Sequence, residues 1–176
     1  DQVVSDDYMG AFNAVEYLIQ TGRQNIMYLS SSMSLEVSRR RYQGWRDALQ
    51  HYSIPMSEDS IIECDTRSKA IVAAPSILQR ENAPDAIFCV NDDSAAGVLH
   101  AAKILGIKIP EELSICGFSD APLCRATQPM LTTVQQHGVD IGKRAVTRLL
   151  RRLEGDTKIP QTEMVPTDLI VRETTK

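Results

Sequence analysis

Two pairs of polar residues stand where apolar runs end: Asn91-Asp92 after Ala86-Ile-Phe-Cys-Val90, and Ser119-Asp120 after Leu113-Ser-Ile-Cys-Gly-Phe118. If the runs are parallel strands, these residues meet outside their carboxyl ends, where open α/β sheets take their ligands. An Asp opening a helix is an ordinary N-cap, so Asp92 or Asp93 is read as the cap and Asn91 as the side chain left to face a cleft. Arg41 falls in the first turn of a helical stretch, where its charge is mildly unfavourable against the helix dipole. It is either a solvated residue or the partner of something anionic or rich in hydroxyls. Ser119 and Asp120 suit the shaping of a turn equally well, and Gln136 suits an exposed amide. Neutral polar groups beside an arginine fork offer hydrogen bonds to a sugar or another polyol. On this reading Arg41→Ala abolishes ligand binding and leaves the fold intact.

Catalytic apparatus is not visible. There is no Gly-x-Ser-x-Gly elbow, no GxGxxG and no GxxxxGK-Ser/Thr loop. Glu63 and Asp65 alternate on a short run and make only a weak carboxylate pair. Cys64, Cys89, Cys116 and Cys124 form no CxxC, and His51, His100 and His137 share no ligand spacing with them, so neither a metal nor a cofactor is expected.

Pro84 to Asp120 reads as one βαβ unit, with a helix ending near Gly106 and a right-handed crossover between parallel strands. Upstream, Val3-Val4 ends a strand, and Asp6 or Asp7 caps a helix from Tyr8 to Gln20 that exits at Gly22. Asn25 to Leu29 is a strand. A helix starting near Ser38 carries Tyr42, Trp45 and Leu49 on one stripe. Ile61 to Cys64 is a short strand, and Ser68 to Arg80 is a helix kinked or shortened at Pro75. Downstream, Leu131 to Gln135 is extended, Val139 to Leu153 is helical, and Thr162 to Arg172 is a strand interrupted at Pro166. The alternation predicts an α/β fold with a mostly parallel sheet flanked by helices on both faces.

The length of 176 residues suits one domain, or one lobe with part of another. A net charge of −4 argues against a surface that coats nucleic acid. No apolar stretch approaches the roughly 18–20 residues needed to span a bilayer. The four cysteines lie mostly in apolar runs and are read as reduced, buried, small hydrophobes. The first residues, Asp1-Gln-Val-Val-Ser5, are neither an initiator Met nor a signal peptide, so sequence upstream is expected.

With these motifs in order, the chain resembles the LacI/GalR family of bacterial transcription regulators, in the effector-binding core. Asp6-Asp7, Gly10, Ala14, Leu18-Ile19 and Gly22 match the start of the family's C-terminal subdomain. Arg39, Arg41, Gly44 and Trp45 match its next helix. Pro84, Ala86-Ile-Phe88, Asn91-Asp92, Ala96, Gly97 and Gly106 match its βαβ unit, and Gly117-Phe118, Pro129, Leu131-Thr-Thr-Val134, Gln136 and Leu169 to Thr175 follow in order.

The resemblance implies a periplasmic-binding-protein-like core of type I, with two subdomains joined by three crossovers and an effector between them. Residues 1–5 would end the N-terminal subdomain, 6–135 form the C-terminal one, 136–165 return to the first, and 166–176 hold the final crossover and strand. Most of the other lobe, and the helix-turn-helix that would contact operator DNA, would lie outside these residues. The helix over 139–153 is then expected to pack poorly without that lobe.

Effector contacts carry over to Arg41, Asn91 and Gln136. They also carry over to Ser119 and Asp120, where the family usually has an acidic pair, and to Thr66, where it often has a stacking aromatic. Ser119 replaces a carboxylate with a hydroxyl and removes a charge-assisted acceptor. The helix from Ala95 is small or apolar on more than one face, which points to a homodimer surface of Ala95, Val98, Leu99, Ala102 and Leu123. The implied protein is cytoplasmic, senses a small effector such as a carbohydrate and has no membrane partner. A periplasmic sugar-binding protein of the same fold and an α/β enzyme are the rival readings.

Overall fold

Apolar runs that are buried on both faces read as near-continuous hydrophobic segments, and the central strands have that pattern. The computed structural model describes residues 1–176. In chain order its elements are β1 (Gln2–Ser5), α1 (Asp7–Gln20), β2 (Ile26–Ser30), α2 (Glu36–His51), β3 (Ile61–Glu63), α3 (Arg67–Leu78), β4 (Ala86–Cys89), α4 (Asp92–Ile104) and β5 (Ser114–Cys116). β6 (Thr133–Gln135), α5 (Gly138–Leu153), β7 (Thr162–Val165) and β8 (Asp168–Ile170) follow. Strands β3, β2, β4 and β5 form a parallel sheet in that order. Tyr28 lies opposite Phe88, and Phe88 opposite Cys116, so the carboxyl ends of these strands open on one side.

Two cores flank the sheet. Tyr28, Trp45, Phe88 and Phe118 lie under α1 and α2, while Met27, Leu29, Ile87 and Ile115 lie under α3 and α4. The helices of each pair approach closely at a glycine. A Cβ on Gly44 would stand 2.3 Å from the Tyr8 carbonyl oxygen, and one on Gly97 would stand 2.6 Å from the Arg67 carbonyl oxygen. Backbone cannot yield as a flexible side chain does. Gly44→Ala is therefore expected to cost about 1–3 kcal/mol in urea denaturation through overpacking.

Several boundaries differ from the sequence reading. Helix α2 starts at Glu36, so Arg41 lies in its second turn. Helix α3 runs through Pro75 without interruption. The interruption expected at Pro166 is present, and it separates β7, which pairs with β1, from β8, which pairs with β6. The expected dimer surface is also corrected in part. Ala95, Val98 and Ala102 have no exposed surface, because they face the sheet within the α3–α4 core, and they cannot meet a second molecule. Leu99 is 6% exposed, and Leu123 is partly buried against the same core.

Helix α5 buries no residue. Val139, Val146, Leu149, Leu150 and Leu153 are each more than half exposed, which is an unusual state for the apolar stripe of an amphipathic helix. Its other face is tied to its neighbours by charge, with Arg144 and Arg148 on Glu163 at 2.7 and 2.8 Å and Arg152 on Asp1 at 2.6 Å.

Candidate functional site

A single file of hydrogen bonds crosses the carboxyl ends of the strands. Ser119 Oγ donates to Gln136 Oε1 at 2.9 Å, and Gln136 Nε2 donates to Ser5 Oγ at 3.0 Å. Ser5 Oγ then donates to Asp7 Oδ2 at 3.0 Å. Arg41 closes the file on the other oxygen of Asp7, with Nε at 2.8 Å and Nη2 at 2.7 Å. Its Nη1 donates to the Val90 carbonyl, and its guanidinium carbon lies 3.7 Å from the centre of the Phe118 ring.

Local structure sets each position. Asp7 is the first residue of α1, where a carboxylate is favoured by the helix dipole, and Asp6 caps that helix by accepting from the Met9 amide at 3.0 Å. Arg41 is 5% exposed, so its charge is met inside the protein rather than by water. The site thus contains a compensated ion pair and otherwise neutral hydroxyl and amide groups.

Ser119 and Asp120 adopt φ angles of 124° and 55°, a region that L side chains rarely enter. Such backbone persists where its surroundings over-determine it. The Ser119 amide donates to Val134 at 2.7 Å, and the Asp120 carboxylate takes Arg172 at 2.6 Å and Arg125 at 2.9 Å. The Asp120 side chain is only 4% exposed. The expectation that Asp120 meets a ligand is corrected: both its oxygens are committed to arginines, and it clamps the turn that presents Ser119.

The cap of α4 also differs from the sequence reading, being neither Asp92 nor Asp93. Asn91 has extended backbone and is itself the N-cap of α4, accepting from the Ser94 amide at 2.8 Å. Its Nδ2 donates to the Asp65 carbonyl at 2.8 Å, leaving one N–H free. Asp92 is 2% exposed and accepts from the Ala121 amide at 2.8 Å and from the Thr133 hydroxyl. Asp93 accepts from the Arg67 amide at 2.9 Å. Thr66 caps α3 through the Lys69 amide at 3.3 Å and keeps an exposed position at the adjoining strand end.

The structure therefore brings Arg41, Gln136 and Ser119 together, with Asn91 and Thr66 at neighbouring strand ends. Sequence reasoning missed Ser5 and Asp7. The Asp6-Asp7 pair directly after β1 was a signal available for Asp7. The cysteines take no part: burial pushes the Cys124 thiol up to about 12 and raises Cys64, Cys89 and Cys116 as well, which suppresses the reactive thiolate. A concavity of about 500 Å³ lies beside α3 and α4 and is lined by Ile71, Leu99, Leu123, Arg67, His100 and Lys103 among others. No helix is long and apolar enough to cross a membrane.

The model of the periplasmic binding protein-like domain matches residues 15–175. The HTH-type transcriptional repressor PurR of Vibrio vulnificus is 33% identical over 183 residues, covering all of this chain and 53% of the repressor. The chain thus spans about half the length of the curated relatives it matches. A LacI family transcriptional regulator from Enterococcus faecium, solved with bound ribose, superposes with a TM-score of 0.89 at 26% identity, over 99% of this chain and 65% of that one. The transcriptional regulator CelR in complex with cellobiose gives 0.92 at 26% identity, over 98% and 53%.

Proposed function

The chain belongs to the periplasmic binding protein-like domain family, within the LacI/GalR transcription regulators, and on that premise we propose that it is the effector-sensing part of a DNA-binding repressor. The effector is a small uncharged polar molecule, a sugar or related polyol, held at the strand ends by Ser119, Gln136, Asn91 and Arg41. The observation that carries this reading is the file from Ser119 through Gln136, Ser5 and Asp7 to Arg41. It supports a neutral ligand, because the only cation in it is already matched by Asp7.

The same file supports coupling to operator affinity. Ser5 and Gln136 lie where the chain would pass between lobes, so a ligand that takes either hydrogen bond acts directly on the crossovers. Differential binding of the ligand to two lobe arrangements is all that such a switch requires. Residues 6–135 would form one lobe. The exposed apolar stripe of α5 would be covered by the remainder of the other lobe, and a helix-turn-helix elsewhere in the protein would contact DNA. The function is sensing rather than catalysis, in the cytoplasm.

Calorimetric titration with ribose, cellobiose and a wider panel of neutral and phosphorylated sugars tests the reading. Gln136→Ala is expected to weaken the best ligand about tenfold, as loss of one buried hydrogen-bond partner does. Ser119→Asp is expected to shift preference among the neutral sugars. Tightest binding by a phosphorylated ligand, or affinities unmoved by both variants, would overturn it.

A homodimer through the groove beside α4 completes the proposal, with Leu99 and Leu123 on its floor. Leu123→Asp is expected to raise the dimer dissociation constant by about 30-fold or more, since a buried apolar anchor is worth ~2 kcal/mol or more. Sedimentation at graded concentrations reads the shift, and an unchanged constant removes the groove from the interface.

A further inference from the structure

Gln136 holds the middle of the file, between Ser119 and Ser5, yet it belongs to no strand or helix. β6 ends at Gln135 and α5 opens at Gly138, so the placing of Gln136 depends on the residues either side of it. Both of those residues meet Asp168. Gln135 lies opposite Asp168 in the antiparallel pair of β6 and β8. His137 brings its Nε2 to 2.8 Å from Asp168 Oδ2.

His137 is an awkward residue for its position. Its backbone is left-handed, with φ 54° and ψ 46°, where Gly and occasionally Asn or Asp settle. It is the N-cap of α5, and its carbonyl accepts from the Asp140 and Ile141 amides at 2.9 and 3.1 Å, but its side chain caps nothing. Asn suits a left-handed residue and an N-cap alike. What the imidazole does instead is reach across to Asp168. Asp168 is 67% exposed and the ring 30%, and so open a pair contributes little to global stability. Its effect is local, and the residue it encloses is Gln136.

We propose that His137 is a positioning residue: with Asp168 it forms a clip that grips the chain on both sides of Gln136 and aims the Gln136 amide at Ser119 and Ser5. This deepens the proposed function and rests on the reading of Gln136 as an effector contact. Asp168 comes directly after Pro166-Thr167, and Thr167 Oγ1 donates to the Asp6 carbonyl at 3.4 Å. The clip thus ties Gln136 to the segment after β7 and, through it, to the residue before α1. A shift of that segment reaches Gln136 through Asp168, and a ligand's pull on Gln136 returns by the same route. In this role His137 acts through Gln136 and does not itself touch the ligand.

The test reads Gln136 without any ligand. Its failure leaves the effector assignment standing, while failure of that assignment shows only in the titrations with sugars. Nitrogen-15 relaxation is recorded for the Gln136 side-chain amide in the wild-type chain, in His137→Gly, in Asp168→Ala and in the double variant. Glycine takes the left-handed turn without strain, so a residue needed for the turn alone would leave Gln136 as ordered as before. The clip predicts the reverse: in each single variant the order parameter of that amide falls to the flexible range, below about 0.6. The double variant is expected to fall no further, because all three remove the same contact. The Asn25 side-chain amide, held by the Asn82 and Ala83 carbonyls, is the internal standard and is expected to stay fixed. A Gln136 amide unchanged in either single variant, loosened further in the double, or loosened no more than that of Asn25 overturns the proposal.

Discussion

Arg41→Ala is expected to lower the stability of the chain by about 3–5 kcal/mol, the cost of leaving one member of a buried ion pair alone. Asp7 is 12% exposed and would keep only the Ser5 hydroxyl as a partner. The Val90 carbonyl would lose its side-chain donor, and the Phe118 ring its cation. The buried pairing argues against the expectation from sequence that the variant is a clean test of ligand binding with the fold intact. Binding would disappear, but so would much of the margin of a domain whose total stability is typically about 5–15 kcal/mol. Arg41→Lys is not a mild control. A single ammonium cannot reach Asp7 and Val90 at once while lying flat on an aromatic face. Urea denaturation followed by Trp45 fluorescence measures the effect. A midpoint within experimental error of the wild type would show that the ion pair contributes nothing, and Gln136 and Ser119 are the better probes of the ligand in either case.

Short-range patterns were legible in the sequence and long-range partnerships were not. The runs Ala86–Val90 and Leu113–Phe118 announced parallel strands because burial on both faces leaves no room for polar alternation. The cap of α1 was legible because a capping side chain reaches only three residues along the chain. The cap of α4 was misread because three candidates, Asn91, Asp92 and Asp93, stand in a row. The choice depends on where β4 ends, and the strand's end left Asn91 in the extended conformation that a cap requires. Asp120 was misassigned because the partner that removes it from the site, Arg172, is 52 residues away. Ser5 was missed for the same reason: its bond from Gln136 spans 131 residues, and no spacing rule connects them. Small residues on α4 showed that the helix is crowded on more than one side. They could not show that Ala95, Val98 and Ala102 face the sheet while Leu99 borders the groove. The family resemblance supplied Arg41 and Gln136 as candidates for the site, and the geometry added Asp7, without which the charge of Arg41 would have suggested an anionic ligand.

The second large effect expected is at Asp92, where Asp92→Ala should cost about 2–4 kcal/mol, from ~1–3 kcal/mol for each buried donor left without an acceptor. The donors are the Ala121 amide and the Thr133 hydroxyl, and they come from two different segments. One follows Ser119-Asp120, and the other opens the strand that leads to Gln136. The Asp92 carboxylate therefore fixes both ends of the Ser119–Gln136 hydrogen bond at a distance, and its own amide bonds to Phe118 at 3.1 Å, the residue under Arg41. Gly117 is part of the same arrangement, since a Cβ there would stand 2.4 Å from Asp92 Oδ1. Asp92→Asn separates the contributions. It keeps the volume and one acceptor, but turns an NH2 toward one of two donors, so it should lose stability and release either Ala121 or Thr133. Hydrogen exchange at the Ala121 amide distinguishes the two: rapid exchange means that the loop after Ser119 is the part set free. If the stability of both variants matched the wild type and Ala121 stayed protected, the turn would be held by Arg125 and Arg172 on Asp120 alone, and Asp92 would have no part in presenting Ser119.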